Sequence, residues 1–466
     1  MRLLLRALRE HAPSILVAGL SSAFGVSLIS ITGVLTEIIL DADLNSDTLT
    51  FILSFIAAVF IVIALYVGAL VTANTFATII AGRVRTIALL RLIGSSAAMQ
   101  RRGVAREGLT VGVVGALLGA VVGVLFPIIV VWVGVTGGMI PAGTYSYFTA
   151  TMLLPVVAVT LTTVAASWVG SRRVLSVSPM DALGAAGEQS LGEQTDQQTR
   201  NRATLLVFLI GNVILGVAVI IGQTNPLAVL IGLVGGILSF SGVVLGASVV
   251  MPRALRAIGR VFGSSPTARL ARENAVRYPE RSARTTIGLV IGVTLITTFA
   301  VTVASYQSII DTAQEAMPGV YTGVDPVLTV TVAVFSVLMG FSALIAAVGM
   351  VNNLSLNVLQ RTRELGLLRA LGFTARQIRR MILIESAQLS GAAVAVGLAL
   401  GTIYGWVGAQ SLIGSIPGSP GIVLPTVPFA LIAVIVIAAA TLTAVASLAP
   451  SRRATRITPV EALATA

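Results

Sequence analysis

Ten long apolar runs constrain this chain more than any other feature of its sequence. About 20 consecutive apolar residues match the hydrocarbon thickness of a bilayer. A chain that is 56% hydrophobic and 10% charged is too apolar for an ordinary water-soluble domain. Backbone groups in hydrocarbon need hydrogen-bond partners within their own segment, so each run should be a helix. We therefore predict an all-α polytopic membrane protein with about ten transmembrane helices. The runs are Ser14–Thr36, Thr48–Ala73, Leu109–Val135, Tyr147–Gly170, Ala203–Gly222, Pro226–Met251, Thr286–Tyr306, Val327–Val351, Met381–Val407 and Pro428–Leu448.

The arginine residues predict the orientation of the chain. All 30 basic residues are arginine, and each lies at a terminus or in a connection that follows an even-numbered run. By the positive-inside rule, both termini are then cytoplasmic. The net charge of +12 is explained by this topology and requires no nucleic acid partner, while basic inner loops favour anionic membrane lipids. The outer connections carry acidic residues alone, at Glu37, Asp41, Asp43, Asp47, Asp311, Glu315 and Asp325.

Two arginine-rich connections are copies of one another. The first reads Arg83-Val-Arg-Thr-Ile-Ala-Leu-Leu-Arg-Leu-Ile-Gly94, and the second reads Arg361-Thr-Arg-Glu-Leu-Gly-Leu-Leu-Arg-Ala-Leu-Gly372. In both copies an Arg-Arg pair and a glutamate follow in the same register, and a further shared segment lies at residues 171–183 and 451–463. The chain therefore carries an internal duplication, and we expect its halves to share one architecture.

The apolar runs divide into four, two and four around this duplication. We predict a first four-helix repeat at residues 1–186, a linker with a two-helix spacer at 187–263, and a second four-helix repeat at 264–466. An even number of runs separates the copies, so the repeats are parallel and related by a pseudo-twofold axis along the membrane normal. The polar segment 187–199 is typical of a flexible linker. Residues 266–277 predict a short amphipathic helix in the inner headgroup layer, with a plain basic flank as the alternative.

Several kinds of chemistry are excluded by composition. A phosphate-binding P-loop needs a lysine, and this chain has none. The absence of cysteine excludes disulfides, thiol catalysis and thiolate metal sites. The single histidine, His11, precedes the first run and is better explained as an interfacial residue than as a ligand. We therefore expect no catalytic, metal-binding or cofactor-binding residue in this chain.

Each duplicated connection predicts two helical segments separated by a glycine. In the second copy Gly372 stands where a helix should end, and Thr374 is a plausible N-cap for the next helix. In the first copy Gly94 ends the helix, and Ser95 or Ser96 begins the next one. Such a shape suits docking to a soluble partner. The alternative is an ordinary basic loop that serves topology alone, but topology does not require Leu-Leu-Arg-x-Leu/Ile-Gly to recur in register.

Two carboxylates occupy matched positions in the duplication. Glu107 and Glu385 lie where the third and ninth runs begin. Interfacial pairing with Arg106 and Arg380 is one interpretation, and a proton relay is the other. We favour the pairing.

The second copy of the connection, with the Arg-Arg pair and glutamate after it, resembles the signature of FtsX-like permeases, the MacB-like class of ABC transporter membrane subunits. The resemblance covers the second repeat nearly throughout and the first more loosely, because Thr86 replaces the glutamate and Ala88 the glycine. It implies a non-catalytic subunit of a bacterial plasma membrane, coupled to two copies of a separate ATPase that bind ATP and magnesium. The residues expected to couple to the ATPase are Arg83, Arg85, Leu89, Leu90, Arg91, Gly94, Arg361, Arg363, Glu364, Leu367, Leu368, Arg369 and Gly372.

The resemblance also implies a function. An FtsX-like permease would export or extract an amphipathic, lipid-like or peptide substrate by mechanotransmission, in which the ATPase shifts the coupling helices and the spans. The alternative is a signalling subunit that activates an extracellular partner such as a cell-wall hydrolase. The ten-span plan is similar to that of antimicrobial-peptide transporter permeases, yet those carry a large outer domain where this chain has only residues 307–326. An ion-driven secondary transporter fits poorly, because the runs lack paired carboxylates.

The predicted topology can be tested directly, because the chain contains no native cysteine. Single substitutions Ser146→Cys and Ser415→Cys should react with a membrane-impermeant maleimide from outside intact cells. Ser95→Cys, Ser190→Cys and Thr374→Cys should react only after the membrane is opened. Labelling of Thr374→Cys from outside would contradict the coupling assignment, since a soluble cytoplasmic ATPase could not reach that turn.

Overall fold

The computed structural model describes residues 12–41, 47–82, 84–137, 143–171, 191–263, 265–277, 279–318 and 371–454, with short pieces at 340, 343–344 and 367–369. Every regular element in this part of the chain is helical. The α-helices, in chain order, are α1 Ala12–Asp41, α2 Asp47–Gly82, α3 Val84–Leu92, α4 Ala97–Thr136, α5 Leu153–Gly170, α6 Leu191–Gly222, α7 Ala228–Leu245, α8 Ala247–Gly259, α9 Pro266–Arg277, α10 Pro279–Ala316, α11 Ala375–Ile413 and α12 Phe429–Ala454.

Seven stretches of helix in the described residues are long and apolar enough to cross a membrane. They coincide with seven of the predicted runs, and two shorter apolar stretches, Ile61–Ala77 and Phe429–Val445, coincide with the second and tenth. The predicted eighth run, Val327–Val351, lies almost wholly outside the described residues. The chain is an all-α polytopic membrane protein, which confirms the predicted fold class.

The first of two compact units contains α1 to α5, and the packing of α1 against α4 is its most extensive helix contact. Ser22 Oγ on α1 donates a hydrogen bond to the Ala116 carbonyl at 2.8 Å. Ser27 Oγ donates to the Gly123 carbonyl at 3.0 Å. A Cβ atom at Gly123 would lie 2.7 Å from the Ala23 carbonyl oxygen, so glycine is what lets the two backbones approach. Small residues and interhelical hydrogen bonds are the usual means of packing helices in lipid.

The second unit contains α6 to α12, and it repeats this arrangement with α10 and α11. Thr302 Oγ1 on α10 donates to the Gly405 carbonyl on α11 at 3.1 Å. A Cβ atom at Gly401 would lie 2.5 Å from Thr297 Cβ. Gly401 is the counterpart of Gly123 in the duplication, so the same position permits the close approach in both units.

The predicted spacer helices, α6 and α7, pack within the second unit and are joined to α11 by polar side chains. Asn212 Nδ2 donates to Ser239 Oγ at 3.0 Å, and the Ser239 and Tyr404 hydroxyls share a hydrogen bond of 2.9 Å. Gln223 Nε2 donates to Gln410 Oε1 at 3.2 Å. Because these polar groups lie in otherwise apolar segments, their bonds fix the spacer to α11. The predicted domain boundaries themselves stay predictions.

Two expectations about the connections are wrong. The segment 187–199 is no flexible linker over its described part, because α6 begins at Leu191 and continues unbroken into the apolar run. Its leucine, glutamate and glutamine residues favour helix, and extending an existing helix avoids the cost of nucleation. The sixth run also ends earlier than expected, at Leu245 instead of Met251, because Gly246 separates α7 from α8.

Helix α9 confirms the predicted short helix before the second repeat, but protein, not the headgroup layer, covers its apolar face. Thr267, Ala268, Ala271 and Ala275 are buried, and α9 packs mainly against α11. Amphipathicity alone shows which face a helix will bury, without showing whether lipid or protein will cover it.

The placement of the spacer predicts a disulfide between α7 and α11. A Cβ atom at Gly232 would lie 3.5 Å from Ser411 Oγ, a separation compatible with a bridge. Gly232→Cys combined with Ser411→Cys should therefore cross-link under mild oxidation, seen as a mobility shift after the intervening chain is cut with a protease. The control pairs Gly232→Cys with Ser390→Cys, because Ser390 Oγ accepts a hydrogen bond from Thr443 of α12. Equal cross-linking of both pairs would contradict this placement.

Candidate functional site

The two duplicated connections fold into the same helix–turn–helix. In the first copy α3 ends at Leu92, Gly94 has a φ of 101°, and α4 begins at Ala97. In the second copy the described residues 367–369 are helical, Gly372 has a φ of 94°, and α11 begins at Ala375. The predicted glycine breaks are therefore confirmed in both copies.

Backbone hydrogen bonds fix each turn in the Schellman arrangement. In the first turn the Ser95 amide donates to the Leu90 carbonyl at 2.9 Å, and the Gly94 amide donates to Arg91 at 3.1 Å. The same two bonds close the second turn, from Phe373 to Leu368 at 3.1 Å and from Gly372 to Arg369 at 3.0 Å. A left-handed residue is required at C′ of this motif, which is why glycine recurs there.

An N-cap residue begins the next helix after each turn. Ser96 Oγ accepts a hydrogen bond from the Met99 amide at 3.1 Å, which decides between the two predicted serines. Thr374 forms a capping box, in which the Gln377 amide donates to Thr374 Oγ1 at 3.2 Å and the Thr374 amide donates to Gln377 Oε1 at 2.8 Å. In both copies the cap satisfies an amide at the start of the next helix, so that helix begins directly after the turn.

Each turn presents apolar side chains to the surroundings. The counterparts Leu89 and Leu367 are 51% and 52% exposed, and the counterparts Ile93 and Leu371 are 81% and 70% exposed. Leu92 is also exposed in the first copy, and so, to a smaller extent, is Leu90. We call Leu89, Leu92 and Ile93 the first patch, and Leu367 and Leu371 the second patch. Because arginines flank both patches in sequence, they lie beyond the apolar spans, where exposed apolar groups mark contact surfaces.

The far side of each turn is anchored in protein. In the first copy Ile87 and Ala88 are buried against Ile80 of α2, with Ala97 and Val104 of α4 packed beside them. In the second copy Leu368 and Phe373 pack against a buried cluster that includes Ala271 of α9 and Ile378 and Met381 of α11. The support of the second turn by α9 could not be predicted from the sequence, because that contact joins segments about a hundred residues apart.

The remaining residues expected to couple to the ATPase are placed as follows. Arg91 and Arg369 are half-buried at the base of the two turns. Arg85 lies within α3. Arg83, Arg361, Arg363 and Glu364 lie outside the described residues. The coupling role of the whole set stays a prediction.

The two matched carboxylates differ in burial. Glu107 is half-buried on α4, and Glu385 is buried on α11. Their pairing with Arg106 and Arg380 stays a prediction.

Arg101 has a role that the sequence pattern did not reveal. Its guanidinium carbon lies 4.0 Å from the centroid of the Trp168 ring. Its Nη2 donates to the Trp168 carbonyl at 3.2 Å, and its Nε donates to Ser171 Oγ at 3.3 Å. Arginine stacks preferentially on tryptophan, so a tryptophan near the end of the fourth run was the available signal. Arg101 ties the start of α4 to the end of α5.

The match to a known protein family falls on the two copies of the duplication. The family model described as FtsX-like permease, C-terminal, matches residues 58–179 and 336–459, which together make up more than half of the chain. The chain is 26% identical over 147 residues to the ABC transporter permease YknZ of Bacillus subtilis (strain 168), covering 32% of this chain and 35% of the relative.

Two further relatives match stretches of similar length in this chain. The macrolide export ATP-binding/permease protein MacB of Rhodopirellula baltica is 32% identical over 127 residues, or 27% of this chain and 17% of the relative. The ABC transporter permease YtrF of Bacillus subtilis (strain 168) is 27% identical over 129 residues, or 26% of this chain and 30% of the relative. The chain thus spans about a third or less of the length of these relatives.

The turn glycines predict a stability effect that depends on backbone conformation alone. No atom lies within 4 Å of a Cβ added at Gly94, Gly372 or Gly103. Gly94→Ala and Gly372→Ala should each destabilise the turn by about 1–2 kcal/mol, the usual cost of a left-handed conformation for an L-residue. Gly103→Ala, on an exposed part of α4, is the control and should be neutral or stabilising. Faster tryptic cleavage at arginines beside the turns would report the effect, and equal cleavage of all three variants would contradict it.

Proposed function

Because the chain belongs to the FtsX-like permease family, we propose that it transmits movement from a separate ATPase through the membrane as the permease subunit of an ABC transporter. The relatives YknZ and YtrF are ABC transporter permeases, and MacB is an ATP-binding/permease protein. This chain has no lysine for a P-loop, so ATP and magnesium bind to the partner.

The observation that carries the proposal is the pair of exposed apolar patches on turns of the same backbone geometry. Positive-inside topology accounts for the arginines around the turns, but it does not account for Leu89, Ile93, Leu367 and Leu371 exposed among them. Apolar side chains held at the tip of a capped turn provide a docking surface of fixed shape. One chain presents two such surfaces, so it holds two ATPase subunits.

The helices that follow the turns are long enough to transmit movement across the membrane. Helix α4 has 40 residues and α11 has 39, so each is about 60 Å long. Each begins at its turn without an intervening loop. A shift applied at the turn therefore moves the whole helix, and the close contacts of α4 with α1 and of α11 with α10 pass that shift to a second helix.

This mechanotransmission suits export or extraction of an amphipathic, lipid-like or peptide substrate. Polar side chains within the described spans bond largely to backbone carbonyls or to each other, as Asn212, Ser239 and Tyr404 do. They therefore leave mainly apolar surface to the surroundings, which favours a substrate with apolar parts over an ion. With the turns in the cytoplasm, both chain termini lie on the inner face of a bacterial plasma membrane.

A signalling role is the second candidate, and one observation favours it. Ile422 and Leu424, in the connection between α11 and α12, are highly exposed. These residues lie at the opposite end of α11 from the second turn. They offer an apolar contact to an extracellular partner, which helix movement would activate.

The docking proposal predicts that a charge on either patch disrupts the complex. Ile93→Glu and Leu371→Glu should each reduce the ATPase retained on the purified, tagged chain by about tenfold or more, because burial of such a side chain is worth about 1.5–3 kcal/mol. Met317→Glu is the control, because Met317, directly after the end of α10, is also exposed and apolar and lies far in sequence from both patches. Retention is measured by quantitative mass spectrometry. Full retention by both patch variants, at normal protein levels, would show that the patches serve no docking role.

A further inference from the structure

Helix α8 carries a row of three arginines on its exposed side. Arg253, Arg256 and Arg260 are exposed, and their spacing of three and four residues places them within about 60° of one another around the helix axis. Arg260 begins the short 3₁₀ turn Arg260–Phe262 that continues α8. We call these three residues the arginine stripe.

The opposite side of α8 is held by the protein, which fixes the direction of the stripe. Met251, Leu255 and Gly259 are buried, and α8 packs against α10 and α11. Gln388 Nε2 of α11, itself buried, donates a hydrogen bond to the Leu255 carbonyl at 2.9 Å. The stripe is therefore presented outward on a rigid support.

The surroundings of the stripe are strongly basic. Residues 247–277 contain six arginines and a single acidic residue, Glu273. That glutamate lies 3.9 Å from Arg272 on α9. Within the described part of the chain, no carboxylate forms an ion pair with the stripe. The ligand that suits guanidinium groups along one face of a helix is an anion such as phosphate, which arginine binds through two parallel hydrogen bonds.

The position of α8 along the chain favours a lipid as the source of that phosphate. Helix α7 is a candidate membrane span ending at Leu245, and α8 begins two residues later. Arg253 turns back toward the span, since its Nη1 donates to the Val249 carbonyl at 2.9 Å. Val261, next to Arg260, is 79% exposed. Arginines beside an exposed apolar side chain, directly after a span, match the headgroup region of a bilayer.

We propose that the arginine stripe binds the phosphate group of an anionic phospholipid in the inner leaflet. Topology explains the number of arginines in this connection, but it does not require three of them on one face of a helix that is anchored on the other. A lipid at this site contacts α8, whose opposite side is bonded to Gln388 of α11. The site does not depend on the proposed transport function.

The experiment compares two triple variants of the full-length chain in detergent. One is Arg253→Gln/Arg256→Gln/Arg260→Gln. The control, Arg202→Gln/Arg269→Gln/Arg376→Gln, removes the same charge from exposed arginines on three other helices. Native mass spectrometry in an equimolar mixture of phosphatidylglycerol and phosphatidylcholine gives the occupancy of each lipid. Near-membrane arginines each contribute about 1 kcal/mol to anionic lipid binding.

The unmodified chain and the control should both prefer phosphatidylglycerol, and the stripe variant should lose at least about tenfold of that preference. Melting curves with phosphatidylcholine alone should coincide for the two variants, since all six side chains are exposed. If the triple variant fails to fold, Arg256→Gln alone should lower the preference for phosphatidylglycerol about fivefold. Equal loss in the control would mean that net charge alone attracts the lipid and would overturn the proposal. Competition by inorganic phosphate at equal concentration would assign the site to free phosphate. Unchanged lipid preference with loss of the co-purified ATPase would assign the stripe to the protein partner.

Discussion

Close backbone contact between one long helix and its neighbour is the interaction on which both units depend. Lipid tails are as apolar as leucine, so helices in a membrane gain little from burying apolar area and rely on van der Waals packing and interhelical hydrogen bonds. The pairs α1–α4 and α10–α11 obtain both through glycines that admit the partner backbone and hydroxyls that bond to its carbonyls. Because α4 and α11 also begin at the duplicated turns, this packing determines which helices a shift at a turn displaces.

The two turns keep the same geometry with different supporting side chains. Phe373 follows the second glycine and packs into an apolar cluster with Leu368, the hydrophobic contact that often accompanies this motif. Its counterpart, Ser95, instead accepts a hydrogen bond from Gln100 Nε2 at 2.8 Å. The shared element is thus the backbone shape and the exposed patch. The two turns can then differ in their resistance to deformation while they keep the same backbone geometry.

Local features of the sequence were sufficient to predict the spans that lie within the described residues, the glycine breaks and the N-caps. Gly94, Gly372 and Thr374 could be assigned because the role of each depends on backbone conformation or on a partner within a few residues. The covering of α9 by α11 and the stacking of Arg101 on Trp168 could not, because both join segments that are distant in sequence. The helical start of α6 was missed for another reason. Its polar composition suggested a linker, although the same residues favour helix once a neighbouring helix exists.

The spacer contacts make the two halves of the duplication unequal. On α11, Val407 and Gln410 are buried, whereas their counterparts on α4, Ile129 and Trp132, are exposed. A copy of the first half in place of the second would give Gln223 a tryptophan where it needs an acceptor. The reverse exchange would set a glutamine amide at the exposed position of Trp132, with the desolvation penalty of an unpaired polar group in hydrocarbon. The two copies are therefore not interchangeable at these positions, because each suits the surroundings of its own unit.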